Sequence, residues 1–150
     1  MIVGVPRESY PGERRVALVP SVVPALMKGG LEVIVEAGAG MEAGYPDATY
    51  TAKGAKIVAD RAEVFRAADI VAQVLCYGSN DKTGDADLPL LHKDQVLVGF
   101  LRPLGGLNTI QEIAERGVTA LSVELMPRTT RAQSMDVLSS MATICGSNFA

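Results

Sequence analysis

Between Pro127 and Ser140 the chain gathers Arg128, Arg131, Gln133, Ser134, Asp136 and Ser139 into one short polar stretch. Two guanidinium groups offer planar forks of donors. An amide adds a donor and an acceptor, and the carboxylate and hydroxyls add acceptors at fixed spacing. Such a set suits a polar, partly anionic ligand. The same residues also describe a capped helix start, with Ser134 as N-cap, Asp136 in the first turn and the arginines on the surface. Residue type alone leaves both readings open.

The elements around this stretch say where it must lie. An apolar run, Val118 to Val123, precedes it and predicts a strand. From Ser134 the pattern turns helical, with Met135, Leu138, Met141 and Ala142 spaced to share a face. Polar groups are thus concentrated where a strand gives way to a helix, and open α/β sheets collect ligands beyond the carboxyl ends of their strands. Upstream, strands are expected at Ile2–Val5, Glu32–Glu36, Lys56–Val58, Asp69–Leu75 and Gln95–Leu101. Helices are expected at Ser21–Lys28, with Ser21 as N-cap and Gly29-Gly30 as the stop, and at Ala48–Lys53, Arg61–Ala67 and Asn108–Arg116, the last ended by Gly117. The polar segment Tyr77 to Leu88 reads as a surface loop. Alternation of this kind predicts an α/β fold, a doubly wound and mainly parallel sheet with helices on both faces.

The 150 residues suit one domain, and an apolar share of 48% can fill its core. A net charge of −3 gives no general attraction to nucleic acid. His92, the one histidine, sits beside Lys93 and Asp94 and reads as a solvated residue; without a Cys or His cluster no transition-metal site is expected. Cys76 and Cys145 lie in apolar contexts and read as buried thiols of a reduced, cytosolic domain. No run approaches ~20 apolar residues, so no membrane span is expected. Nor does the start, MIVGV, have the form of a secretory signal.

Gly38, Gly40 and Gly44 imitate a nucleotide fingerprint, but no helical run follows at once and Tyr45-Pro46 interrupts the pattern. Phosphate recognition needs a helix N-terminus aimed at the pyrophosphate. This segment therefore reads as a turn, and the chain has no other glycine fingerprint. After the first strand, Glu8, Glu13, Arg14 and Arg15 mix charges. An arginine fork can take a ligand carboxylate bidentately; the reading preferred here is an internal pair, Arg15 with Glu8 or Glu13. Met126, Met135 and Met141 flank the polar loop and are expected to pack beneath it.

The pattern Arg128, Arg131-Ala132-Gln133-Ser134, Asp136, Leu138-Ser139-Ser140 resembles the NAD(H)-contacting loop of the proton-translocating nicotinamide nucleotide transhydrogenases. The opening, Val3 to Pro20, and the segment Val33 to Gly40 resemble both the alpha subunit of that family and its relative, alanine dehydrogenase. The resemblance covers essentially the whole chain. It implies the N-terminal part of an NAD(H)-binding component, with the second, Rossmann-type NAD domain of that component absent from this chain. It further implies hydride transfer from NAD(H) to NADP(H) held on a separate component, coupling to a membrane component, a homodimer, and a place at the cytoplasmic face of a bacterial inner membrane.

In roles implied by the same resemblance, Arg128 and Asp136 brace each other and orient the nicotinamide carboxamide. Gln133 meets a nicotinamide ribose or the partner nucleotide, and Ser139 adds a hydroxyl contact; Arg131 supports the loop or faces a partner. Alanine dehydrogenases use the arginine matching Arg15 to hold a substrate carboxylate, a lysine where this chain has Leu75, and a catalytic histidine where it has Arg102. Leucine binds no carboxylate, and a guanidinium shuttles no proton near neutral pH. Gln73 also replaces a lysine usual in both groups. An amino-acid dehydrogenase domain and a non-catalytic association fragment are the alternatives.

Overall fold

The structure, a computed structural model, describes residues 1–127, 129–132 and 135–138. Among these, six parallel strands form one sheet: β1 (Ile2–Val5), β2 (Glu32–Glu36), β3 (Lys56–Val58), β4 (Ile70–Leu75), β5 (Val96–Phe100) and β6 (Thr119–Ser122). Their order is β3-β2-β1-β4-β5-β6. The strand sequences favour this all-parallel arrangement, because runs such as Val33-Ile34-Val35 and Ile70-Val71-Ala72 are apolar on both faces. The described helices that flank the sheet are α1 (Val23–Lys28), α2 (Asp47–Thr51), α3 (Arg61–Ala67) and α4 (Leu107–Glu115).

Two hydrophobic cores result. Val5, Val23, Val33, Val35 and Tyr50 form one, with residues of α1 and α2 packed on the sheet. Phe65, Val71, Leu97, Leu101 and Ile113 form the other, with residues of α3 and α4. Tyr50 is fully buried, so its hydroxyl needs a partner, and it donates to the Leu18 carbonyl at 2.8 Å. Burial lifts its pKa to about 12. Gln95 is also fully buried; its amide donates to the carbonyls of Phe65 and Ala68 and so ties the end of α3 to the start of β5.

Besides shifts of one or two residues at α2, α4, β4 and β5, three readings differ from those expected of the sequence. Ser21 is not an N-cap: a 3-10 turn spans Pro20–Val22, and α1 starts at Val23 with no capping side chain. Pro24 lacks an N–H and is tolerated only in a first turn, so it sets the start. Tyr77 to Leu88 is more than a surface loop, because it contains a 3-10 turn at Gly84–Ala86 and buries Asn80 and Asp87. The strand expected at Val118–Val123 ends at Ser122, where the chain turns into a 3-10 segment, Val123–Leu125. By contrast, the glycine-rich segment is the expected turn: Gly38 and Gly44 take φ of 76° and 83° around a 3-10 turn at Met41–Ala43.

Candidate functional site

The strand order reverses between β1 and β4. The two strands pair only at Val3–Ile70 and Gly4–Val71, then diverge and leave a crevice at their carboxyl ends. This is the strand order that elsewhere cradles dinucleotides. Here, however, the turn after β1 is Pro6-Arg7-Glu8-Ser9-Tyr10, with no glycine turn and no α-helix until Val23. The fold supplies the crevice without the phosphate-binding turn.

Carboxylates hold the carboxyl ends of β4 and β5 beside this crevice. Glu8, from the turn after β1, accepts the N–H groups of Val74 and Leu75 at 2.7 and 3.1 Å. Glu124, just beyond β6, accepts those of Leu101 and Arg102 at 3.0 and 2.5 Å, and the Ser122 hydroxyl at 2.7 Å. Each carboxylate thereby replaces the ladder partner that a diverging strand has lost. Between them the β4–β5 register shifts at Ala72/Leu75. Gly99 permits the close approach there: a Cβ on it would lie 2.2 Å from the Gln73 carbonyl oxygen and 2.5 Å from Cys76 Sγ.

Next to Glu8 lies a buried ion pair. Arg61, at the start of α3, donates Nε to Asp87 Oδ1 at 2.5 Å and a terminal nitrogen to Oδ2 at 2.7 Å. Its other terminal nitrogen donates to the Arg7 carbonyl. The Gln73 amide also donates to Asp87, at 3.1 Å. Asp87 thus takes one charged partner, Arg61, and one neutral donor, Gln73.

A cavity of about 370 Å³ opens over β4 and β5. Val16, Ala72, Val74, Val98, Phe100 and Val137 form apolar walls, and Arg15 and Gln73 bring polar groups to it. Arg15 also borders a more polar cavity, shared with Arg7, Glu8 and Glu13. The internal pair expected for Arg15 is present: Nε donates to Glu13 Oε1 at 2.8 Å and a terminal nitrogen to Oε2 at 2.5 Å. This hydrogen bond holds the Glu13 pKa below its ordinary value, whereas burial pushes that of Glu8 up.

These opposite shifts give opposite stability profiles. Folded Glu8 keeps its proton to higher pH than unfolded Glu8, so its contribution falls as pH rises from the ordinary value of 4.5 through the raised one. The contribution of Glu13 is complete above 4.5 and is lost as pH falls through the lowered value. In urea melts from about pH 3 to about pH 7, Glu8→Gln should remove a decline toward neutral pH and Glu13→Gln a loss toward acid. Slopes that change in the same direction for both variants would contradict these assignments.

Of the residues expected to contact a ligand, Asp136 is half-buried and engaged in an interaction, and the neighbouring Val137 lines the cavity. Arg128, Gln133 and Ser139 lie outside the described residues. Arg131 is exposed. Met126 is half-buried, but Met135 is 50% exposed and does not pack beneath the loop as expected; Met141 lies outside the described residues. Cys76 is fully buried, and burial raises its pKa; Cys145 falls outside the described residues. His92 is exposed, as its charged neighbours suggest. No cluster of potential metal ligands occurs among the described residues.

Three contributors are not evident from residue type and spacing. Asp87 falls in a stretch that reads as a polar loop, although the apolar run Leu88-Pro89-Leu90-Leu91 beside it signals burial. Glu124 stands between Val123 and Leu125, and a carboxylate in an apolar context also carries a signal. Arg61 gives none, since a surface arginine in the first turn of a helix looks the same.

The chain is similar along nearly its whole length to larger proteins. It is 38% identical over 97% of its length to the NAD(P) transhydrogenase subunit alpha of Cereibacter sphaeroides, of which it covers 27%. It is 40% identical, again over 97%, to an NAD(P) transhydrogenase subunit alpha chain of Rhodospirillum rubrum, covering 38% of that protein. Alanine dehydrogenase of Bacillus subtilis is 31% identical, with 36% of its length covered. Among solved structures, the transhydrogenase of Sinorhizobium meliloti superposes with a TM-score of 0.86 at 37% identity, over 97% of this chain and 40% of that one. An L-alanine dehydrogenase gives 0.77 at 28% identity, over 88% and 34%. The chain thus spans well under half of each of these relatives. Residues 4–145 match the family described as alanine dehydrogenase/PNT, N-terminal domain, and the chain belongs to that family.

Proposed function

We propose that this chain is part of the NAD(H)-binding component of a proton-translocating transhydrogenase and presents the nicotinamide end of NAD(H) at the cavity over β4 and β5, beside the crevice between β1 and β4. The observation that carries the reading is that cavity. It is largely apolar, the strand-end donors beside it are taken by internal carboxylates, and Val137 lines it. An uncharged ring suits such walls, whereas a diphosphate does not. The similarity to transhydrogenase alpha subunits supports the same reading. Leu75 and Arg102 argue against an amino-acid dehydrogenase, because neither can do the work of lysine or histidine there.

When bound, NADH would supply the hydride and NADP+ on a partner component would accept it. The chain's own task is geometric. Arg128 and Asp136 orient the carboxamide, Gln133 sets the ribose end, and Ser139 adds a hydroxyl contact. The apolar walls exclude water from the reacting face. Direct transfer requires close, correctly aligned rings rather than a side-chain acid or base. The reading includes a homodimer, a membrane component as further partner, and a peripheral place at the cytoplasmic membrane face. No helix among the described residues is long and apolar enough to cross a membrane.

Most of the nucleotide's binding energy would then come from a second, Rossmann-type domain. This chain alone is expected to bind NADH more weakly than micromolar, because a cavity that meets only the nicotinamide end leaves most of the ligand in water. Calorimetric titration measures this directly. Micromolar or tighter binding to the 150 residues would show a complete site within them and overturn the division of labour.

A further inference from the structure

We infer that Asn80 is a positioning residue for the apolar cavity: from the loop after β4 it grips the turn after β1 at Ser9, and so keeps Glu8 seated on the end of β4. Asn80 is only 2% exposed, so its amide must be satisfied within the protein. Its Nδ2 donates to Ser9 Oγ at 3.0 Å and to Thr83 Oγ1 at 2.9 Å. Its Oδ1 accepts the N–H groups of Lys82 and Thr83 at 3.3 and 3.0 Å. The Thr83 hydroxyl donates to Ser9 Oγ at 2.9 Å and closes the triangle. The backbone of Asn80 is fixed as well: its N–H donates to the Cys76 carbonyl, and its own carbonyl accepts the Gly84 N–H.

The place of this grip in the chain gives it a role. Arg7, Glu8 and Ser9 are consecutive, and each is held by residues distant in sequence. The Arg7 carbonyl accepts from Arg61, Glu8 accepts the N–H groups of Val74 and Leu75, and Ser9 meets Asn80 and Thr83. Val74 lines the cavity. From Ser9 the chain passes through a turn, closed by the Glu13 N–H on the Tyr10 carbonyl, into another part of the lining, Val16 and Ala17. The far end of that segment is tied down by the Tyr50 hydroxyl on the Leu18 carbonyl. A fully satisfied buried network fixes one arrangement of its members. With Ser9 released, the Glu8 clamp and the near end of the Val16 segment are left to shift together. The inference rests on the reading above for its rate measurement and deepens it, by naming what holds the lining in place.

The test compares Ser9→Ala, Asn80→Ala and the double variant with the parent. In this chain, the amide resonances of Val74 and Leu75 and the methyl resonances of Val16 and Val74 are expected to move in the same direction in both single variants, and no further in the double. In the complete assembly, each single variant is expected to slow hydride transfer about tenfold while KM for NADH changes by less than about twofold. Ser9→Thr keeps the hydroxyl and is expected to restore the rate. Should Asn80→Ala fail to fold, the two Ser9 variants carry the test. Unmoved Val74 and Leu75 resonances would overturn the inference. So would effects of the single variants that simply add, or moved resonances with a parental transfer rate. Absence of direct hydride transfer in the parent assembly would instead end the reading above, and the resonances of this chain would then decide the inference on their own.

Discussion

Replacing Gln133 by Asn in the complete assembly containing this chain is expected to slow hydride transfer by about 100-fold while changing NADH affinity little. Glutamine and asparagine carry the same amide, so the donor and acceptor are retained and only the reach shortens, by one methylene. If the residue sets the nicotinamide end, a displacement of about 1 Å at the reacting carbon is enough for that loss. The rest of the dinucleotide, held elsewhere, keeps the affinity. If Gln133 instead serves only the helix start near Ser134, the loss should appear as stability, on the order of 1 kcal/mol, with turnover intact. Stopped-flow transfer and thermal melts on one variant separate the two. An unchanged transfer rate with a lowered melting temperature would defeat the functional reading of the loop.

Arg61→Ala is expected to be the most damaging single change in the fold, at about 3–5 kcal/mol. The Asp87 side chain is 2% exposed and faces a fork at 2.5 and 2.7 Å, so removal of the arginine leaves a buried carboxylate with one neutral side-chain donor, Gln73. The Arg7 carbonyl loses its partner in the same step, which loosens the turn that carries Glu8. Domains of this size have a total stability of roughly 5–15 kcal/mol, so the variant approaches the limit of folding. Arg61→Lys keeps the charge but not the fork and should recover part of the loss. Urea unfolding measures both variants; a loss for Arg61→Ala of under about 1 kcal/mol would show that the pair contributes little to stability.

The regular framework is legible in the sequence because its signals are local. Short apolar, β-branched runs such as Ile2–Val5 and Glu32–Glu36 coincide with observed strands, and glycines at positions 29, 30 and 117 punctuate helices where expected. The strand order is not legible, since nothing local distinguishes β4 from β3 as the second neighbour of β1. The crevice depends on that order, and it therefore emerges only in three dimensions. The Arg15–Glu13 pair can be anticipated because its members are two residues apart. The clamps of Glu8 on β4 and Glu124 beyond β5 cannot, because each joins segments distant in sequence through backbone N–H groups that any residue supplies. Ser21 misleads for a related reason: a capping residue type does not make a cap when Pro24 sets where the helix can begin.

The most direct measurement on the central claim is isotope transfer in the assembly that carries this chain. With NADH deuterated at the transferring position and NADP+ as acceptor, the account predicts deuterium in the NADPH formed, none released to water, and no NADH produced when L-alanine replaces NADH as reductant and NAD+ is supplied. Deuterium lost to solvent, or alanine-dependent reduction of NAD+ abolished by Arg15→Ala, would contradict it.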